Sequence, residues 1–150
     1  MSDTTTAPAA ADAATQAALE RLNTVIDRLI APDGCPWDST QTPESLTEYV
    51  IEECHELVDA IRSGKTADMV EELGDVAFLI LMIGKLMARA GGPSLADALE
   101  VEAAKMVRRH PHVFSDTTYE NPSEQLKDWD RIKREEKAAA DAEGPKGTYD

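Results

Sequence analysis

The run VAFLILMI, Val76 to Ile83, limits what this chain can fold into more than any other stretch of it. An unbroken apolar octet fits either a strand buried on both faces or a helix buried on every side. The flanks decide. From Ala67 to Ala90 the apolar positions keep helical spacing, and Ala, Leu and Met are strong helix formers. The sequence therefore predicts a helix that stops at Gly91-Gly92-Pro93. In a chain of 150 residues, a helix apolar all round needs more cover than its own neighbours supply. A partner subunit over one face is expected.

The rest of the chain reads as helices too. Leu19, Leu22, Val25, Ile26, Leu29 and Ile30 recur at threes and fours and mark an amphipathic helix over 16–30. The stretch APDGCPWDSTQTP after it is a loop. Pro43 opens a second helix with Thr42 as its cap, ending at Ser63-Gly64. A fourth helix is expected from Ser94 to Arg109, before Pro111, and a charged fifth over 122–142. No strand is expected. The predicted fold is all-α, a helical bundle of four to five helices completed by a partner subunit in a homodimer, with a tetramer as the larger alternative. Residues 1–14, an Ala/Thr-rich stretch, are expected to form a disordered tail, 15–142 one domain, and 143–150 a flexible tail.

Fifteen Lys and Arg against 29 Asp and Glu leave a net charge of −14. Such a surface repels polymeric nucleic acid, although it leaves room for a small phosphate ligand held through a metal. No apolar run reaches the ~20 residues of a membrane span, so no membrane association is expected. Met1 to Ala14 contains no Lys or Arg and does not read as a signal peptide. The two cysteines, Cys35 and Cys54, form no C-x-x-C pair. A cytoplasmic location is the expectation.

Two predicted helices carry acidic residues at one spacing: Glu52, Glu53 and Glu56 on the second, Glu71, Glu72 and Asp75 on the third. An isolated E-x-x-E is ordinarily a solvated face. The helical wheel says otherwise here. On the second helix Leu46, Val50, Leu57 and Ile61 define the apolar stripe. Glu53 falls between Leu46 and Tyr49, with Glu56 beside Tyr49. On the third, Glu72 lies amid Met69, Val76, Leu79, Ile83 and Leu86, with Asp75 on the flank. Buried carboxylates lacking a counter-ion are costly, and no basic residue lies in register on either stripe. A divalent cation is the simplest compensation, and an all-oxygen donor set favours Mg²⁺, with Mn²⁺ as a substitute.

The E-E-x-x-E of Glu52 to Glu56, followed by Glu72-x-x-Asp75, resembles the signature of the MazG-type all-α nucleoside triphosphate pyrophosphohydrolases. So do CPWD at Cys35 to Asp38 with Gln41, Thr42, Ser45 and Leu46, then Lys105 with RRHPHVF at Arg108 to Phe114. Trp129, Lys133 and Glu136-Lys137 complete a similarity that extends from about residue 19 to 137. The resemblance implies Mg²⁺-dependent cleavage of nucleoside triphosphates between the α and β phosphates, giving a monophosphate and pyrophosphate. It implies Glu53, Glu56, Glu72 and Asp75 as metal ligands and Glu52 as the group that orients or deprotonates the attacking water. Lys105, Arg109 and Lys133 would meet phosphates, and Trp129 the base or sugar. Pro43 stands where the pattern commonly has His.

Trp37 fits either an aromatic lid over a nucleotide or a plug in the end of the bundle. Two other functions are compatible with the same residues. Glu52-x-x-His55 is half of a ferritin-like di-metal redox site, which needs a second Glu-x-x-His where this chain has Glu72-x-x-Asp75. A non-catalytic helical interaction protein is the other.

Overall fold

The structure, a computed structural model, describes residues 6–144. The outer ends of both expected tails, 1–5 and 145–150, lie outside the described residues. Among the described residues there are six α-helices and no strand. They are α1 Thr6–Ile30, α2 Thr47–Ser63, α3 Thr66–Arg89, α4 Leu95–Arg109, α5 Pro111–Phe114 and α6 Pro122–Ala142.

The helix boundaries follow local chemistry. Thr42 does cap the second helical segment: its Oγ1 accepts from Ser45 N at 3.2 Å while Ser45 Oγ accepts from Thr42 N at 2.9 Å. The first turn after it, Glu44–Leu46, is a 3₁₀ turn, so α2 proper starts at Thr47. Gly64 ends α2 in the left-handed conformation at φ 70°. Asn121 caps α6 by accepting from Glu124 N, and Pro122 occupies its first position. Two differences from the sequence expectations stand out. The first helix begins at Thr6 rather than Gln16, because the Ala-rich stretch that reads as low complexity is also strongly helix-forming. Residues 9–21 of it are all exposed. The short α5, inside RRHPHVF, starts at the very proline that ends α4.

The chain divides into two compact units, residues 1–95 and 96–150. In the first, α2 and α3 pack along each other, and α1 packs on α3. Its core is Ile26, Leu46, Leu79, Leu81, Met82 and Leu86, with Leu22, Ile30, Val50, Phe78, Ile83 and Leu95 against it. A Cβ at Gly84 would lie 2.8 Å from the Leu95 Cβ, so this glycine is what lets the chain after α3 come so close. The apolar octet contributes Leu79, Leu81 and Met82 to the core, whereas Ile80 stays 50% exposed. In the second unit Ile132 is the buried apolar residue among those described. Polar contacts do much of the work there. Glu136 joins Arg108 (Nε, 2.6 Å) and Arg109 (Nη2, 2.8 Å), and the Tyr119 hydroxyl donates to Asp128, which also pairs with Arg131.

Candidate metal and nucleotide site

The turn of α2 that carries Glu53 and Glu56 faces the turn of α3 that carries Glu72. One carboxylate oxygen from each of the three lies within 4.8 Å of the other two. Glu53 and Glu72 are half-buried and Glu56 is exposed. Glu53 Oε2 and Glu72 Oε2 are buried from water, and neither has a hydrogen-bond partner. Orphaned buried carboxylate oxygens are expensive unless something positive meets them. Burial, then the hydrogen-bonding approach and charge of Glu56, then the charges of Asp75 and Glu72, push the Glu53 carboxyl from its ordinary 4.5 to about 7. Glu72 is raised as well, by burial first and then by Glu56, Asp75 and Glu71. Three acidic side chains held together against their own repulsion, with two oxygens unpartnered, fit a hard divalent cation.

A cavity of about 190 Å³ opens beside these acids. Glu53 and Asp75 lie on its rim, and Trp37, Leu46, Tyr49, Phe78, Leu79 and Met82 line the remainder. Asp75 is exposed. The Trp37 ring meets Tyr49 edge-on, with centroids 5.7 Å apart and planes at 89°. At 49% exposure Trp37 is a wall of this pocket and not a buried plug. Tyr49, Phe78 and Met82 were not anticipated as pocket residues. Their signal was present, since Tyr49 precedes Glu53 by four residues and Phe78 and Met82 follow Asp75 by three and seven. Glu52 and His55 are both exposed, and neither belongs to the cluster of ligand atoms. The arrangement thus lacks the Glu/His donor set of a di-metal redox centre.

Lys105, Arg109, Trp129 and Lys133 all belong to the second unit. Lys105 pairs with Glu102 at 2.5 Å and Lys133 with Asp130 at 3.3 Å, both one turn away on their own helices. Pairs this open to solvent on one side contribute little to stability. Arg109 is tied more firmly: it binds Glu136 through Nε and Nη2, and its guanidinium lies 5.6 Å from the centre of the Trp129 ring. Trp129, on a highly charged helix, is half-buried, with the His110 ring edge-on at 5.0 Å. The charged sequence around Trp129 hid this, because its partners come from RRHPHVF.

The model of the MazG nucleotide pyrophosphohydrolase domain matches residues 41–114, which include the whole carboxylate cluster. The chain carries a MazG-family domain. It is 40% identical over 118 residues to the nucleoside triphosphate pyrophosphohydrolase/pyrophosphatase MazG of Thermotoga maritima, covering 79% of this chain and 45% of that protein. Against the nucleoside triphosphate pyrophosphohydrolase of Escherichia coli K12 it is 40% identical over 121 residues, 80% of this chain and 46% of the other. The chain therefore spans less than half the length of those curated relatives. The crystal structure of a mazG-related protein from Thermotoga maritima superposes with a TM-score of 0.64 at 29% identity, covering 77% of this chain and 98% of that one. The all-α fold is thus that of a MazG relative.

Proposed function

We propose that this chain hydrolyses nucleoside triphosphates, ribo- or deoxyribo-, to a nucleoside monophosphate and pyrophosphate, in nucleotide-pool house-cleaning, with Mg²⁺ or Mn²⁺ as cofactor. The observation that carries the proposal is the meeting of Glu53, Glu56 and Glu72 from two helices, with two buried oxygens unpartnered, beside an aromatic pocket. The names of the relatives give it further support. In this reading residues 15–142 are the catalytic domain, working as a homodimer in the cytoplasm.

Glu53, Glu56, Glu72 and Asp75 would hold the cation. When bound, it neutralises polyphosphate charge that a chain of net charge −14 would otherwise repel. Glu52, exposed beside the cluster, accepts a proton from the attacking water as the water oxygen bonds to the α phosphorus. The bond from that phosphorus to the α–β bridging oxygen breaks, and pyrophosphate leaves with the electron pair. Lys105, Arg109 and Lys133 meet the phosphates, Arg109 in competition with Glu136. The nucleoside packs on Trp37 in the pocket, and the family resemblance would give Trp129 a contact with the base or sugar. Stacking accepts any base, so the pocket walls favour breadth over base selection.

A panel of the eight common nucleotides, with oxidised and methylated ones added, tests this when pyrophosphate and orthophosphate are quantified separately. Pyrophosphate release that needs Mg²⁺, stops with EDTA and falls by at least ~100-fold in Glu53→Gln and Glu72→Gln is expected, the upper end of what damage to a metal site's surroundings costs. Orthophosphate alone would mean a different bond is cleaved. Full activity in both variants would reject the ligand set.

A further inference from the structure

Trp37 sits on the crossing from α1 to α2, residues 31–43, a segment that buries none of its own side chains. Hydrogen bonds hold it instead, and they converge on the tryptophan. The Trp37 carbonyl oxygen accepts from Thr40 N at 3.3 Å, Thr40 Oγ1 at 2.9 Å and Gln41 Nε2 at 3.1 Å. The Gln41 side chain is itself fixed, since its Oε1 accepts from Ser45 Oγ at 2.6 Å. From the other side comes Arg89, the last residue of α3. Its Nη1 donates to Ile30 O at 3.0 Å, and its Nη2 to Ser39 O at 3.2 Å and Gln41 O at 3.4 Å. One guanidinium thus ties the end of α1 to the 3₁₀ turn that follows the tryptophan.

We infer that Arg89 and Gln41 are positioning residues for the nucleoside wall: they hold the crossing segment so that Trp37 stands edge-on to Tyr49 over the pocket beside Glu53 and Asp75. This rests on the reading of that pocket as the nucleoside subsite. A planar fork with fixed donors reaches three carbonyls at once, which the single ammonium of a lysine matches poorly. A stacking wall is useful only when it is ordered before the ligand arrives, because ordering it on binding subtracts from affinity. Neither residue is itself part of the carboxylate cluster or of the pocket lining. Their loss should therefore act on nucleotide binding and spare the chemical step.

The chain has two tryptophans, so Trp129→Phe isolates Trp37 emission. In that background Arg89→Met and Gln41→Leu should make Trp37 more accessible to acrylamide quenching without nucleotide, with Arg89→Lys in between. In the chain with both tryptophans, the same substitutions should raise KM for dATP by roughly tenfold, the scale of one lost base–aromatic contact, and leave kcat within about twofold. Gln41→Leu carries the test if Arg89→Met fails to fold. Unchanged quenching in the folded variants overturns the inference, as does a drop in kcat at constant KM. If the unaltered protein releases no pyrophosphate, the functional reading falls, while the quenching series still decides whether Arg89 and Gln41 hold Trp37.

Discussion

At the scale of single residues, the acidic cluster is a place where the fold works against itself in the absence of a cation. A carboxyl raised to about 7 binds a proton more tightly in the folded chain than in the unfolded one, where 4.5 is ordinary. Between those values the unfolded state binds fewer protons, so stability falls as pH rises. The sign is opposite to that of a carboxylate paired with a cation. In EDTA, the melting temperature should therefore be higher at pH 5 than at pH 7.5, with the loss falling between about 4.5 and 7. Adding Mg²⁺ at pH 7.5 should restore it, by binding the folded state alone. Glu53→Gln should flatten the EDTA profile and remove the Mg²⁺ response. A melting temperature that rises from pH 5 to 7.5 in EDTA would contradict the electrostatics. The placement of Glu53 and Glu72 was legible in the sequence, because both lie on apolar stripes at helical spacing. Arg89 was not: its role is to meet backbone carbonyls, and carbonyls carry no side-chain signature.

At the scale of elements, the sequence recovers helices more reliably than their junctions. Apolar spacing together with caps and helix breakers fixes α2, α3, α4 and α6 to within a few residues. The 3₁₀ turn before α2, the early start of α1 and the short α5 depend on local hydrogen bonds and propensity, which periodicity does not record. A further junction, the turn after α1, closes tightly around Gly34. A Cβ there would stand 2.3 Å from Arg28 O and 2.5 Å from Leu29 O, both backbone atoms that cannot swing aside. Gly34→Ala should cost at least ~1–3 kcal/mol by overpacking, read from urea midpoints, and should disturb the segment that bears Trp37. An Ala variant as stable as the parent would mean that the turn relaxes freely. In the second unit, α4 is joined to α6 by Glu136 with Arg108 and Arg109, which hold the Glu136 carboxyl below its ordinary value. That contribution is present above the unfolded carboxylate range and fades as pH falls through the lowered value. Glu136→Gln should therefore lower the melting temperature at pH 7, and the gap should close in acid. A gap that persists below pH 3 would assign the loss to packing instead.

At the scale of the whole molecule, the prediction that α3 is apolar all round leads to the apolar side chains exposed on α2 and α3. Val70, Leu73 and Ile80 on α3 and Ile51, Val58 and Ile61 on α2 are all exposed, at spacings of three and seven residues along each helix. Apolar side chains repeated in this way along two packed helices suit contact with another apolar surface. A second copy covering them is consistent with the homodimer expected from the octet. The acids are on the same two helices, so covering α2 and α3 would also stiffen the frame that holds the carboxylates together. Light scattering should then give twice the 16.3 kDa of one chain. The melting temperature should rise with protein concentration, as mass action requires when folding and association are linked. Val58→Asp and Ile80→Asp each place a charge where apolar contact is expected, which is costly to bury unpaired. Both should shift the mass to one chain and abolish the concentration dependence. A parent protein that scatters as a single chain, with a melting temperature independent of concentration, would leave the apolar face without a second copy to cover it.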